Sequence, residues 1–284
     1  MKSDFLKLSN GEVLAYRFKK ISEKEKNLIL IHGNYATSFI WEDLASSLDD
    51  FNIYCPDMRG FGKSTYKNRA KNISDYAMDL LEFIEKLSLK NISICGWSLG
   101  GAVAMEMAKV LNQKLSNLIL LSSISSRGYK SIYSDFISIN SSLKNIMPFS
   151  IDFLEDLNPF QNLNNFAPYY EDYKKFFRDY LFNIKNPHGE FLDELTREML
   201  LQKNNVDIWE AMTNFHFSDE DIEKIKAKIF MVYGDRDKII SKEEIRENIE
   251  AFKERAEVFI FKDSGHAPFF DKKGKCIKLL EKVL

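Results

Sequence analysis

Residues 91–108 read NISICGWSLGGAVAMEMA, and this stretch is the strongest pointer to the fold. An apolar run leads into Gly96, and Ser98 then stands between Gly96 and Gly100. Small residues two before and two after the serine indicate a turn so tight that Cβ atoms there would collide. The helical pattern of Leu99 to Leu111 follows at once. We therefore expect a strand, a strained turn that projects the Ser98 hydroxyl, and a helix whose amino end points at it.

The composition of the 284 residues is 45% hydrophobic and 29% charged, which is typical of a globular protein with a sizeable core. A formal net charge of -2 gives no reason to expect nucleic acid or an anionic membrane as a partner. Cys55, Cys95 and Cys276 fit no disulfide or metal spacing. We interpret them as buried small hydrophobes in a reducing compartment.

The first 20 residues contain no apolar core followed by a small-residue cleavage site, so they do not resemble a signal peptide. No run in the sequence approaches the ~20 apolar residues of a membrane span. These two features predict a cytoplasmic protein without membrane insertion.

Eight short apolar runs predict the strands of one sheet. The first two flank Asn10-Gly11, a strong signal for an antiparallel hairpin. The other six are continuous and apolar, as expected for strands buried on both faces of a mostly parallel sheet. Segments of helical period alternate with them, so helices should cover both faces. The predicted helices are Trp41 to Leu48, Ser74 to Leu87 with Ser74 as N-cap, Leu99 to Leu111, Lys242 to Phe252, and Lys273 to Leu284.

One region interrupts the alternation between the sixth and seventh strands. From about Ser125 to Phe217 the sequence has no buried-strand run but many aromatic residues in helical-looking contexts. We predict a helical cap over residues 125–217, inserted between two parts of a core domain at 1–124 and 218–284. The cap should lie over the carboxyl ends of the strands, where open α/β sheets bind ligands.

A serine hydroxyl needs a base to become a nucleophile, and a histidine is the expected base. We predict that His266 is this base, because it follows the last predicted strand on a loop with a glycine before it. His32 ends a strand and has the character of a structural residue. His188 and His216 belong to the cap or its exit and are interpreted as surface or packing residues.

An acid should orient that histidine, and the sequence GDRD at 234–237 offers two candidates after the seventh strand. Asp237 is preferred because it lies farther along the loop, where it can face His266. Asp235 would then cap or shape the turn. The order Ser98, Asp237, His266 is the one shown by enzymes with this strand–turn–helix serine motif.

Two backbone N–H groups are expected to bind the oxyanion of a tetrahedral intermediate. Leu99, directly after the serine, should supply one, and Asn34, in the loop after the third strand, should supply the other. The Asn34 side chain is then free for a substrate oxygen or for closing the loop. Tyr35 and Trp97 are candidates for contact with the substrate, and for Tyr35 a packing role is equally compatible with the sequence.

Five motifs occur in one order along nearly the whole chain. They are HGN (32–34), PDMRGFGKS (56–64), GWSLGG (96–101), GDRD (234–237) and SGH (264–266). With them the chain resembles the α/β-hydrolase superfamily, in the branch with a cap after the sixth strand. The resemblance implies a cofactor-free hydrolase with Ser98 as nucleophile, His266 as base and Asp237 as acid. It also implies that Asp57 and Arg59 shape a loop beside the site.

The favoured function is hydrolysis of a carboxylic ester, thioester or lactone of a small, partly apolar acyl substrate by a monomer or homodimer. A hydrolase of carbon–carbon bonds, or of amides or peptides, with the same triad remains an alternative, and a non-catalytic ligand-binding protein of this fold is a third. No H-E-x-x-H or C-x-x-C motif suggests a metal site.

Overall fold

The computed structural model describes residues 1–21, 26–129, 170–183 and 189–284. The strands are β1 (Lys2–Lys7), β2 (Val13–Lys19), β3 (Asn27–Ile31), β4 (Asn52–Pro56), β5 (Ile92–Trp97), β6 (Leu115–Leu121), β7 (Lys228–Gly234) and β8 (Ala256–Phe261). They form one sheet in the order β1-β2-β4-β3-β5-β6-β7-β8. The sheet is mostly parallel and begins with an antiparallel hairpin, as predicted, and β2 also pairs antiparallel with β4.

The centre of the sheet determines where a ligand can bind. Every residue of β3, β4 and β5 is buried, which explains why their sequences are continuous apolar runs. β3 has β4 on one side and β5 on the other, so the chain order reverses there. In open α/β sheets such a reversal leaves a crevice outside the carboxyl ends of the strands. The loops after β3 and β5 flank this crevice.

Helices cover both faces of the sheet over two hydrophobic cores. α2 (Ile73–Lys86) and α3 (Leu99–Leu111) pack on one face. α1 (Glu42–Ser46) and α10 (Lys273–Val283) pack on the other face, where the three free cysteines are buried. The helices of the described ranges are α1 (Glu42–Ser46), α2 (Ile73–Lys86), α3 (Leu99–Leu111), α4 (Tyr170–Phe176), α5 (Gly189–Met199), α6 (Asn205–Asn214), α7 (Asp219–Lys224), α8 (Lys242–Phe252), α9 (Pro268–Asp271) and α10 (Lys273–Val283). A π-helical turn, Phe177–Leu181, continues α4.

The predicted bounds of α3 and α8 match those observed, but the predicted start of α2 is wrong. α2 begins at Ile73 with Asn72 as N-cap, so Ser74 lies inside the first turn. The carboxylate of Asp75 accepts a hydrogen bond from the N–H of Asn72 at 3.0 Å. This reciprocal capping box satisfies backbone donors that a cap at Ser74 would leave open.

The chain leaves the sheet after β6 and returns at β7, as predicted. The described part of this insertion contains α4, α5 and α6, and residues 130–169 and 184–188 of the predicted cap lie outside the described ranges. Its contacts include hydrogen bonds to the loops after β3, β4 and β8. The domain boundaries at 125 and 217 stay a prediction. Across the described ranges, no helix has both the length and the apolar character needed to cross a membrane.

Candidate active site

The turn after β5 has the strained geometry that its sequence predicts. Ser98 has φ +56° and ψ -120°, a conformation that costs a non-glycine residue about 1–3 kcal/mol. A Cβ at Gly96 would lie 2.2 Å from the carbonyl oxygen of Gly100, across the turn. A Cβ at Gly100 would instead lie 2.4 Å from the carbonyl oxygen of Ile31 in β3. The first glycine therefore permits the turn, and the second lets α3 pack against the neighbouring strand.

His266 and Asp237 form a buried pair in the loops after β8 and β7. The Nδ1 atom of His266 lies 2.9 Å and 3.1 Å from the two carboxylate oxygens of Asp237. The side chains of the histidine and the aspartate are 2% and 1% exposed. Asp237 Oδ1 also accepts the N–H groups of Ile239 at 2.8 Å and Ile240 at 3.0 Å. Because a carboxylate only accepts, Nδ1 carries the proton and Nε2 is directed away from Asp237.

Asp235 has a different environment from Asp237. It is exposed, and its carboxylate accepts the N–H of Ser264 at 3.3 Å. A Cβ at Gly234 would lie 2.2 Å from the carbonyl oxygen of Gly265, so the loops after β7 and β8 are in close contact here. Asp235 thus joins the two loops, and its expected role in capping or shaping its own turn stays a prediction.

Trp97 brings the His266 loop beside the serine turn. Its indole N–H donates to the carbonyl oxygen of His266 at 2.8 Å, and the two rings are 5.3 Å apart between centroids. Trp97 immediately precedes Ser98 and is 1% exposed. Its ring also packs against Phe269. The contacts of the Trp97 indole hold the histidine loop in place, and its contact with the substrate stays a prediction.

The loop after β3 lies against the same turn. A Cβ at Gly33 would be 3.1 Å from the Cβ of Ser98. The Oδ1 atom of Asn34 accepts the N–H of Tyr35 at 3.0 Å and the side-chain amide of Gln202 at 2.9 Å. The side chain of Asn34 therefore closes the loop, one of the two roles considered for it.

Tyr35 joins this loop to the insertion. Its hydroxyl accepts the indole N–H of Trp209, in α6, at 3.0 Å. Burial raises the pKa of this phenol above its ordinary value of 10.0. Its role in substrate contact stays a prediction.

Gln202 and Asp271 are two site residues that the sequence did not indicate. Gln202 lies between α5 and α6 and contacts Asn34, which is 168 positions away in the sequence. Asp271, in α9, accepts the N–H of Gly265 at 2.6 Å and the N–H of Asn183 at 3.0 Å. Asp271 therefore joins the loop of His266 to the insertion. Neither residue belongs to a local motif, and no sequence signal could have found them.

His32, Asp57 and Arg59 have structural contacts. The Nδ1 of His32 donates to the carbonyl oxygen of Gly33 at 2.8 Å, and its Nε2 accepts the N–H of Met58 at 3.1 Å. Burial lowers the pKa of His32 to about 4, so the ring is neutral at pH 7. Asp57 accepts a backbone N–H of the loop after β3 at 2.6 Å, and Arg59 pairs with a carboxylate of α2.

The other two histidines of the chain are His216 and His188. His216 is exposed, and His188 is outside the described ranges. Within those ranges, no group of three or more histidine, cysteine, aspartate or glutamate residues is placed to hold a metal ion.

The sequence matches the family described as alpha/beta hydrolase fold over residues 26–273. The chain belongs to the α/β-hydrolase fold family. The match runs from β3 into α10 and includes the serine turn and the His266–Asp237 pair.

Curated relatives of this α/β hydrolase include proteins named as lipase and esterase. Lipase 3 of Moraxella sp. (strain TA144) is 24% identical over 270 residues, which cover 94% of this chain and 79% of the lipase. The pimeloyl-[acyl-carrier protein] methyl ester esterase of Vibrio cholerae is 31% identical over 105 residues, which cover 37% of this chain and 39% of the esterase. Among the relatives matched first, the chain spans 28% to 39% of their length.

Solved structures share the fold of this α/β hydrolase. An esterase from Exiguobacterium antarcticum superposes with a TM-score of 0.75 at 17% sequence identity. The alignment covers 98% of this chain and 97% of the esterase. At this identity the likeness establishes the fold and leaves the reaction open.

Proposed function

We propose that the protein is a serine hydrolase that cleaves a carboxylic ester through an acyl-enzyme on Ser98. The observation that carries the proposal is the buried hydrogen bond between His266 and Asp237, held beside the serine turn by the indole of Trp97. A serine hydroxyl, an oriented imidazole and a carboxylate partner are the three side chains that this type of nucleophilic catalysis requires.

In the proposed reaction, the Oγ of Ser98 attacks the acyl carbon while Nε2 of His266 takes the hydroxyl proton. The carbonyl oxygen becomes an oxyanion, and collapse of the intermediate breaks the bond to the leaving alcohol. That alcohol receives the proton from His266. Water then attacks the acyl-enzyme by the same route and releases the acid. Throughout, Asp237 keeps Nδ1 protonated and stabilises the imidazolium.

The oxyanion would be bound by the backbone N–H groups of Leu99 and Asn34. Leu99 is the first residue of α3, so its N–H has no acceptor within the helix and lies at the positive end of the helix dipole. The hydrogen bonds of Asn34 to Tyr35 and Gln202 use its side-chain oxygen and leave its backbone N–H out. Each such donor contributes a factor of about 10²–10³ to kcat in comparable sites.

The relatives named as lipases and methyl ester esterases favour an ester over other acyl bonds. Lactones and thioesters react by the same steps, and we include them in the proposed class. Carbon–carbon bond and amide hydrolysis need the same triad, so a substrate panel has to separate them.

The test is turnover of p-nitrophenyl esters of graded chain length, a lactone and a ring-fission diketone by wild type and Ser98→Ala. We expect ester turnover, reduced about a million-fold in the variant. Ser93→Ala, on the same strand, is the matched control. It removes one hydrogen bond, to Asn117, and should leave turnover within about threefold. Near-normal ester hydrolysis by Ser98→Ala would exclude the proposal.

Covalent labelling of Ser98 distinguishes the proposed hydrolase from a non-catalytic protein of the same fold. We expect a fluorophosphonate probe to label wild type at Ser98 and to leave Ser98→Ala unlabelled. Absence of labelling in the folded wild type would favour the ligand-binding alternative.

A further inference from the structure

The side chain of Gln202 bridges the insertion and the loop after β3. Gln202 is 7% exposed and lies between α5 and α6. Its Nε2 donates to Asn34 Oδ1 at 2.9 Å, and its Oε1 accepts the backbone N–H of Tyr35 at 3.1 Å. Asn34 Oδ1 also accepts that N–H at 3.0 Å. The three groups form a closed triangle of hydrogen bonds.

This triangle fixes the backbone conformation at the position of the proposed oxyanion donor. Tyr35 has φ +56°, in the left-handed region that a tyrosine rarely occupies. Its N–H is shared between two side-chain oxygens, one from its own loop and one from the insertion. The bonds to the Tyr35 N–H hold the Asn34–Tyr35 peptide, and the bond to Asn34 Oδ1 holds the Asn34 side chain. The Gly33–Asn34 peptide, which carries the N–H of Asn34, is joined to both through the Asn34 Cα, so the direction of that N–H is restricted.

Neighbouring residues dock this segment independently of Gln202. The ammonium of Lys203 donates to the carbonyl oxygens of Gly62 at 2.7 Å and Ser64 at 3.0 Å. The side-chain amide of Asn204 donates to the hydroxyl of Tyr76 at 2.8 Å. These bonds attach the insertion to the loop after β4 and to α2. Attachment of this segment to the core therefore does not depend on the amide of Gln202 alone.

We propose that Gln202 is a positioning residue that aims the backbone N–H of Asn34 at the oxyanion. The inference rests on the proposed function, since it assigns the insertion a part in stabilising the transition state of that reaction. Preorganised donors act only when their direction is fixed before the charge develops. A displacement of this loop should therefore lower kcat and leave ground-state binding of the ester almost unchanged.

The main test compares wild type, Gln202→Met and Lys203→Met in steady-state hydrolysis of a p-nitrophenyl ester. Methionine preserves the length of glutamine and removes both hydrogen bonds. We expect kcat of Gln202→Met to fall on the order of 10- to 100-fold with KM within about threefold, a smaller effect than deletion of a donor. Binding of a trifluoromethyl ketone analogue should weaken by the same factor as kcat. Lys203→Met should lower the Tm and leave kcat within about threefold.

A double-mutant cycle tests whether Gln202 acts through Asn34. Asn34→Ala keeps the backbone N–H and removes the oxygen that Gln202 contacts. If the residues act as one unit, the double variant with Gln202→Met loses no more kcat than the worse single variant. Fully multiplicative losses would overturn the inference, as would a loss confined to KM. Gln202→Glu retains the acceptor for Tyr35 and serves if the methionine variant does not fold.

A readout without substrate separates this inference from the proposed function. Hydrogen exchange of the Tyr35 amide should accelerate at least about tenfold in Gln202→Met, because one of its acceptors is lost. Unchanged exchange would refute the positioning role whether or not the protein hydrolyses esters. Failure of wild type to turn over esters or to label at Ser98 would refute the proposed function, and the exchange result would still stand.

Discussion

Replacing Asp237 by asparagine tests the electrostatic centre of the proposed site with little change in shape. In the folded protein Asp237 accepts hydrogen bonds from His266 Nδ1 and from the backbone N–H groups of Ile239 and Ile240. The asparagine oxygen can keep the two backbone bonds. Its NH₂ group then faces Nδ1, so the imidazole must move its proton to Nε2 to make a bond. A protonated Nε2 cannot accept the proton of Ser98.

We expect Asp237→Asn to lower kcat by about 10⁴-fold, as in comparable triads. That loss corresponds to about 5.5 kcal/mol of transition-state free energy. The loss should appear in kcat, since nothing in the change removes a substrate contact. Stability should fall little, because the side chain keeps its volume and two of its acceptor bonds.

Asp235→Asn is the matched control, two residues away in the same loop. Asp235 is exposed and accepts a single backbone bond from Ser264 at 3.3 Å, which an amide oxygen can also accept. Its kcat should stay within about threefold of wild type. The assay is steady-state hydrolysis of a p-nitrophenyl ester at pH 7–8, with circular dichroism to show that both variants are folded. Activity of Asp237→Asn within tenfold of wild type would refute this reasoning, and loss in Asp235→Asn alone would reassign the acid.

Two further predictions concern stability. Gly96→Ala should lower the free energy of unfolding by about 2–4 kcal/mol in urea titrations, because the new Cβ would lie 2.2 Å from the carbonyl oxygen of Gly100. Gly274→Ala is the control, because a Cβ at this position in α10 meets nothing within 4 Å, and its free energy of unfolding should rise by up to about 1 kcal/mol. Equal effects of the two changes on the free energy of unfolding would contradict the steric explanation. Burial raises the pKa of Glu198 above 4.5, so the folded state binds the proton more tightly than the unfolded state and loses stability as pH rises through this window. Glu198→Gln should therefore become more stable relative to wild type as pH increases from 4 to 7. If thermal melts gave a difference in Tm between the two proteins that did not change with pH, burial would not raise the pKa of Glu198.

Most of the sheet could be predicted from the sequence because burial on both faces leaves a local signature. β3, β4 and β5 are continuous apolar runs, and each became a strand in which every residue is buried. The start of α2 was harder to place. Ser74 and Asn72 are both good caps in isolation, and the local signal that separates them is the spacing of the capping box, with Asp75 three residues after Asn72 and Ala77 three residues after Ser74.

For the candidate site, too, the sequence indicated the local features and the structure added the contacts between distant residues. The glycines two residues before and after Ser98 indicated a strained turn, because Cβ atoms at these positions would collide and the spacing is visible within five residues of sequence. The preference for Asp237 over Asp235 rested on loop position, and the structure gives the geometry that sequence could not, with Asp237 facing His266 and Asp235 facing solvent. The catalytic roles stay predictions until the variants are assayed.

The sequence alone determined the alternation of strands and helices and the serine turn, since periodicity and local sterics act between near neighbours. It also showed the order of Ser98, Asp237 and His266 along the chain. Only the tertiary structure showed that Trp97 holds the backbone of His266, that Asp271 joins its loop to the insertion, and that Gln202 contacts Asn34. These contacts join residues 169, 88 and 168 positions apart. Single hydrogen bonds at such separations leave no periodic pattern, because they depend on how the insertion and the loops close over the carboxyl ends of the strands.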